Sequence, residues 1–219
     1  MTTAAAIAAR LRAQHDPQNV AGQQRFGITP RSEQLGLPLP LLRRIARDHR
    51  RDHTLALALW KTAVHDARLV AAFADDPKQV TRGQMEAWAR DFDSWALVDA
   101  VCVGLFNRTP FSEEKAFAWS GRRAEFVKRA GFVLMAGMAV HRKELPDETF
   151  LAFLPIIHRE ATDERHYVRK GVNWALRQIG KRNAHLRRAA IAQARHIHSI
   201  DSPAARWIAA DALRELQRI

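Results

Sequence analysis

The sequence predicts an all-α fold, a solenoid of paired helices, and three observations carry that reading. Apolar residues recur at intervals of three and four almost from end to end. No sustained alternating run rich in β-branched residues interrupts them. Small-residue-rich helices led by arginine return about every 40 residues. They are Arg129-Ala130-Gly131, Arg169-Lys170-Gly171 and Arg206-Trp207-Ile208-Ala209, with Arg187-Arg188-Ala189-Ala190 between the last two. That period fits repeats that bury their apolar face only by stacking on neighbours. An irregular helical bundle gives similar local signals, and the solenoid is the favoured architecture.

The helix breaks follow in order. Thr29-Pro30 and Gly36-Leu37-Pro38-Leu39-Pro40 form the longest irregular region. Asp75-Asp76-Pro77, Thr109-Pro110, Leu145-Pro146-Asp147 and Ser202-Pro203 read as turns with caps, several placing proline in the first helical turn. About a dozen short helices result, and no internal linker marks a second domain, so residues 1–219 are expected to form one domain. The opening Ala4-Ala5-Ala6-Ile7-Ala8-Ala9 run is too short and weakly apolar for a signal segment, and no stretch approaches a membrane span. A cytoplasmic protein, nucleoid-associated in use, is expected.

Charge narrows the partner. Lysine and arginine number 35 against 23 aspartates and glutamates, a formal net charge of +12 and a sequence pI near 11.0. An excess this large points to a polyanion, because phosphate neutralisation supplies most non-specific nucleic-acid affinity. A merely solvated basic surface is the competing explanation. The single Cys102 excludes an internal disulfide and a cysteine-based zinc site, and it reads as a small core residue. His158 with Glu160, and His196 with His198, lack helical metal spacing and read as surface residues. His65-Asp66 reads as a structural polar pair between helices. No metal or cofactor is expected.

Three helices carry candidate chemistry. After Asp93, the residues Leu97, Val98, Val101 and Leu105 form the apolar stripe. Trp95 and Asp99 lie together on another face, beside Cys102 and Phe106. Asp93 or Ser94 suits the N-cap, whereas Asp99 sits too deep to be one. A buried structural partnership with an arginine and a catalytic role stand about level for Asp99. A second helix, from about Glu125 to Val140, has only Lys128 and Arg129 as interior charges, and Arg129 needs an anion, either Asp99 or a phosphate. In a third helix, Tyr167 to Lys181, Val168, Val172, Ala175, Leu176 and Ile179 face the core. Trp174 projects roughly opposite, with Lys170, Arg177 and Lys181. A tryptophan on a basic face suits a sugar or base flanked by phosphates. Contact with a neighbouring helix or another subunit is the alternative.

Those residues are also where the chain resembles a known family, the DNA alkylation repair enzymes of AlkD type, which are HEAT-like repeat DNA glycosylases. The likeness runs from Arg25-Phe26-Gly27 and Gly36-Leu37-Pro38-Leu39-Pro40, through Leu59-Trp60 and His65-Asp66-Ala67-Arg68, to the helix of Trp174. The family's Ser-Trp-x-x-x-Asp element matches Ser94-Trp95-Ala96-Leu97-Val98-Asp99. Its Arg-Ala helix matches Lys128-Arg129-Ala130, and its tryptophan helix matches residues 168–177. A second aromatic beside the family tryptophan is here Ser94 or Ala96, and an N-terminal aromatic is at best Phe26. The resemblance implies a right-handed superhelix of HEAT-like paired helices with a concave basic surface for duplex DNA. It further implies hydrolytic release of cationic N3- or N7-alkylpurines by a monofunctional glycosylase, acting as a monomer with no obligate protein partner.

The implied chemistry agrees with the helix faces. An alkylated purine cation is already a good leaving group, so positive charge on the deoxyribose is what needs stabilising. Asp99 would stabilise it, Trp95 and Trp174 would bracket the sugar, and Arg129 would hold the adjacent phosphate, with Lys128, Lys170, Arg177 and Lys181 as further DNA contacts. Two rivals remain: a non-enzymatic HEAT-like binder of branched or distorted DNA, and a protein-interaction scaffold.

Overall fold

In the computed structural model, which describes residues 3–219, the chain forms thirteen α-helices and one 3₁₀ turn. The only β-type pairing among the described residues is an isolated bridge between Glu33 and Val64. The helices are α1 (Ala4–Arg12), α2 (Pro17–Arg25), α3 (Leu39–Asp48), α4 (His53–Lys61), α5 (His65–Ala74), α6 (Arg82–Arg90), α7 (Trp95–Gly104), α8 (Ser112–Ser120), α9 (Glu125–His141), α10 (Asp147–Arg159), α11 (His166–Lys181), α12 (Ala184–His198) and α13 (Pro203–Leu216). Local chemistry sets their starts. Asp16, Asp52, Thr81, Ser94, Asn183 and Ser202 each accept a backbone N–H from the first turn of the following helix. Pro17, Pro40 and Pro203 occupy first-turn positions where no amide donor is needed. Pro155 is not among the expected breaks, and α10 runs through it, with the ring on an exposed face.

The chain divides into two compact units, one ending at Thr109 and the other spanning Pro110–Ile219. In the first, α3, α5 and α7 lie side by side in chain order, while α4 packs on α5 and α1. Helix α6 joins through Trp88, whose ring stacks on Trp60 at 3.9 Å and nearly parallel. The irregular region before α3 is held by buried Asp66, whose carboxylate accepts Leu35 N–H at 2.8 Å and Leu37 N–H at 2.9 Å. Thus Asp66 has the structural role expected of it, serving backbone amides of the segment before α3, while its charge also acts on the buried His65 beside it. Between those two amides Gly36 adopts φ +75°, and a Cβ there would lie 2.6 Å from the Asp16 carbonyl oxygen, so only glycine fits.

The second unit consists of three helical hairpins, α8–α9, α10–α11 and α12–α13, stacked in two rows. Helices α9, α11 and α13 make one row, α8, α10 and α12 the other. The arginine-led motifs at 129, 169 and 206 all fall on the first row, so the period near 40 is one helix pair, as the solenoid reading requires. Fully buried Trp119, Phe132, Phe150 and Phe153 fill the space between the rows. Each such ring contributes about 2–3 kcal/mol of burial free energy. Gly131 lets α9 approach α8 closely: a Cβ there would stand 2.5 Å from Ser120 N.

Candidate functional site

In the first unit the site is built at the start of α7. Ser94 is the N-cap, accepting Leu97 N–H at 3.3 Å. Asp93 is thereby left to bond elsewhere, and its carboxylate accepts the backbone N–H of Arg31 at 2.9 Å and of Ser32 at 3.3 Å. Trp95 then donates its indole N–H to the Phe26 carbonyl at 3.1 Å. These bonds tie the segment after α2 to the head of α7. Gly27, at φ +73°, turns the chain there and leaves the Phe26 ring 78% exposed. The backbone at Phe26 is therefore held at Trp95, a placement that spacing along the sequence could not show.

One turn after Trp95, Asp99 is half-buried. Leu97, Val98, Val101 and Leu105 are buried as the apolar stripe requires. Cys102 and Phe106, expected beside Trp95 and Asp99, are also fully buried. The face bearing the tryptophan and carboxylate thus runs into core by its third turn, leaving a short accessible stretch at the N-terminal end of the helix.

The second unit places the remaining expected residues. Arg129 is 6% exposed and donates from Nη1 to the Tyr167 carbonyl at 2.9 Å, fastening α9 to the first turn of α11. Lys128 lies between two carboxylates, Glu160 at 2.6 Å and Asp163 at 3.1 Å. Burial works to raise the Asp163 pKa, but hydrogen bonds from Arg165 and Lys128 outweigh it and hold the carboxyl at about 2. On α11, Trp174 is half-buried and Lys170 exposed. Arg177 meets Asp211 and Glu215 of α13, each at 3.0 Å, and Lys181 also pairs with Glu215.

The basic face expected on α11 is accordingly divided. Lys170 near Trp174 presents its charge to solvent, whereas Arg177 and Lys181 are neutralised by α13, as Lys128 is by the α10–α11 turn. A cation already matched to a carboxylate releases less free energy on meeting a phosphate. The Asp211 and Glu215 pair, four residues apart on one face of α13, is the signal that betrays this in the sequence. Another feature not anticipated is the Arg169 guanidinium lying 4.8 Å over the ring of exposed Trp207. His196 and His198 are exposed, and His158 contacts Gln193 at 2.9 Å. Among the described residues no cluster of three His, Cys, Asp or Glu is arranged to hold a metal, and no helix is long and apolar enough to cross a membrane.

Comparisons with known proteins bear on this arrangement. A solved structure matches over 99% of this chain and 94% of its own, with a TM-score of 0.80 and 15% identity. It is described as a new family of proteins related to the HEAT-like repeat DNA glycosylases, with affinity for branched DNA structures. At that identity the likeness speaks for the fold, which is all-helical and HEAT-like. A search among curated proteins gives no match. The family model described as DNA alkylation repair enzyme matches residues 7–216, and the chain belongs to that family.

Proposed function

We propose that the protein is a DNA glycosylase that releases positively charged N3- and N7-alkylpurines from duplex DNA, with residues 1–219 working as one domain and as a monomer. The observation that carries this reading is the Trp95–Asp99 pair at the head of α7. The single donor of the indole is spent on the Phe26 carbonyl, so Trp95 meets a ligand through its ring rather than by hydrogen bonding. One turn away stands a half-buried carboxylate on an otherwise apolar helix. An aromatic face and an adjacent carboxylate both favour a cation.

The chemistry follows from that pairing. In an alkylated purine the base already carries a positive charge. When the C1′–N bond breaks, its electron pair goes to the base, which departs neutral, and the positive charge passes to the deoxyribose. Asp99 stabilises that charge electrostatically and accepts the proton lost by the water that adds to C1′. Trp95 walls the sugar. From the second unit, Trp174 and Lys170 are assigned to DNA contact, Trp174 as a flat ring and Lys170 as a phosphate ligand, with Arg129 as a phosphate ligand from α9. Lys128, Arg177 and Lys181 contribute to the long-range field more than to direct contact.

A second reading is favoured by the solved structure described as having affinity for branched DNA: recognition of branched DNA without base excision. Incubation with duplex containing 3-methyladenine and 7-methylguanine, followed by identification of the free base, separates the two. Release of both methylated bases supports the glycosylase. Intact methylated DNA, together with selective binding of a four-way junction over duplex, replaces it with the second reading.

A further inference from the structure

The C-terminal ends of α3, α5 and α7 carry charge that the mechanism does not use. Arg50 and Arg51 follow α3, and Arg108 follows α7 in the 3₁₀ turn Phe106–Arg108; all three are exposed. Among the described residues, none has a carboxylate within ion-pairing distance. Backbone contacts bring them to one place. Arg51 N–H donates to the Ala74 carbonyl, the last residue of α5, at 2.7 Å. Arg108 donates to the carbonyl of Gly104, the last residue of α7. Gly104 abuts Phe73 of α5 so closely that a Cβ would stand 3.1 Å from the ring, and Arg43 of α3 lies over that same ring at 5.2 Å.

The electrostatics of Arg108 mark the same unneutralised charge, and the backbone of Arg51 is held in a fixed turn beside it. Partial burial, and then the charges of Arg50 and Arg51, pull the Arg108 pKa below the ordinary arginine range. Arg51 adopts φ +65°, a left-handed conformation that costs a non-glycine residue about 1 kcal/mol or more and is kept where the surroundings impose it. Asp76 feels the charge of Arg51 but turns its oxygens to Lys78 N–H and the Gln79 side chain.

We propose that Arg50, Arg51 and Arg108 form a phosphate anchor that grips the DNA backbone away from the site of base release. The inference rests on the DNA-handling part of the proposed function. Helix α7 sets the separation: its ten residues put Trp95 at one end and the arginines beyond the other, about 15 Å apart. That distance is on the order of the width of a duplex groove, so a backbone held by the arginines is not the strand segment at Trp95. Arginine forks suit phosphate oxygens bidentately, and three of them in one place suit a phosphodiester chain better than a single carboxylate.

The test is the salt dependence of binding to unmodified duplex, which requires no base release. Arg50→Gln/Arg108→Gln should reduce the slope of log K against log salt by about 1.8, two contacts at about 0.9 each. Arg188→Gln/Arg195→Gln on α12 removes the same formal charge from exposed positions and should change the slope by less than half as much. Arg50→Glu, in an exposed turn, should weaken binding further than Arg50→Gln while melting at the wild-type temperature. Equal slopes for the two double variants, or a wild-type slope near zero, would overturn the anchor. A wild type that binds steeply but releases no base, with the expected loss in Arg50→Gln/Arg108→Gln, leaves the anchor standing and removes the glycosylase.

Discussion

Lys128 tests whether a residue expected to meet DNA has instead been given to the fold. Its ammonium lies between Glu160 and Asp163 with its side chain 12% exposed, and Arg165 closes on Asp163 from the other side. The Asp163 carboxyl is held at about 2 against an ordinary 3.8. At 1.36 kcal/mol for each tenfold change in proton affinity, that gap corresponds to about 1–2 kcal/mol once solvent screening of a partly exposed site is allowed for. Because the folded pKa is depressed, this stability is fully present above pH 3.8 and is lost as pH falls through about 2. Denaturant unfolding between pH 7 and 2 should therefore show Asp163→Asn less stable by about 1–2 kcal/mol at neutral pH. The same variant should lose less stability than wild type on acidification. Lys128→Met should also be destabilised while keeping the wild-type salt slope for duplex binding. Parallel acid profiles for wild type and Asp163→Asn, or a slope reduced by a full contact in Lys128→Met, would refute the assignment.

Three other outcomes follow from the same structure. Lys170→Ala should lower the salt slope of duplex binding by about 0.9, whereas Arg177→Ala should lower it by less, and Asp211→Asn/Glu215→Gln should raise it by unmasking Arg177 and Lys181; salt titrations of binding check all three. Gly131→Ala should cost about 1–3 kcal/mol in unfolding measurements, because the added methyl meets the Ser120 backbone. Trp95→Phe keeps an aromatic face but loses the bond to Phe26, and single-turnover base release should slow several-fold with DNA affinity little changed.

The helices of this chain are legible in the sequence because their apolar faces and caps are local: Ser94, Ser202 and the first-turn prolines mark starts without any tertiary knowledge. The period of the arginine-led motifs also announces the stacked hairpins. What a single chain of letters hides is which charges find partners. Lys128, Arg177 and Lys181 look like a basic surface because the carboxylates that meet them lie 30 or more residues away, in Glu160, Asp163, Asp211 and Glu215. Similarly, Asp93 looks like a cap, but its partners are amides of Arg31 and Ser32. The Trp95–Asp99 pair is visible in advance because four residues make one helical turn. Its tie to Phe26 is not, since it depends on a loop closing over sixty positions of sequence.

The most direct measurement of the central claim is single-turnover release of 7-methylguanine and 3-methyladenine by wild type and Asp99→Asn, with duplex affinity measured alongside. A preorganised charge of this kind is commonly worth about 3–4 kcal/mol, so release should slow by roughly 10²–10³-fold while affinity and thermal stability stay near wild type. Hypoxanthine, which leaves without a positive charge of its own, should be untouched by either protein. Release by a folded Asp99→Asn at the wild-type rate would contradict the account, as would efficient excision of hypoxanthine.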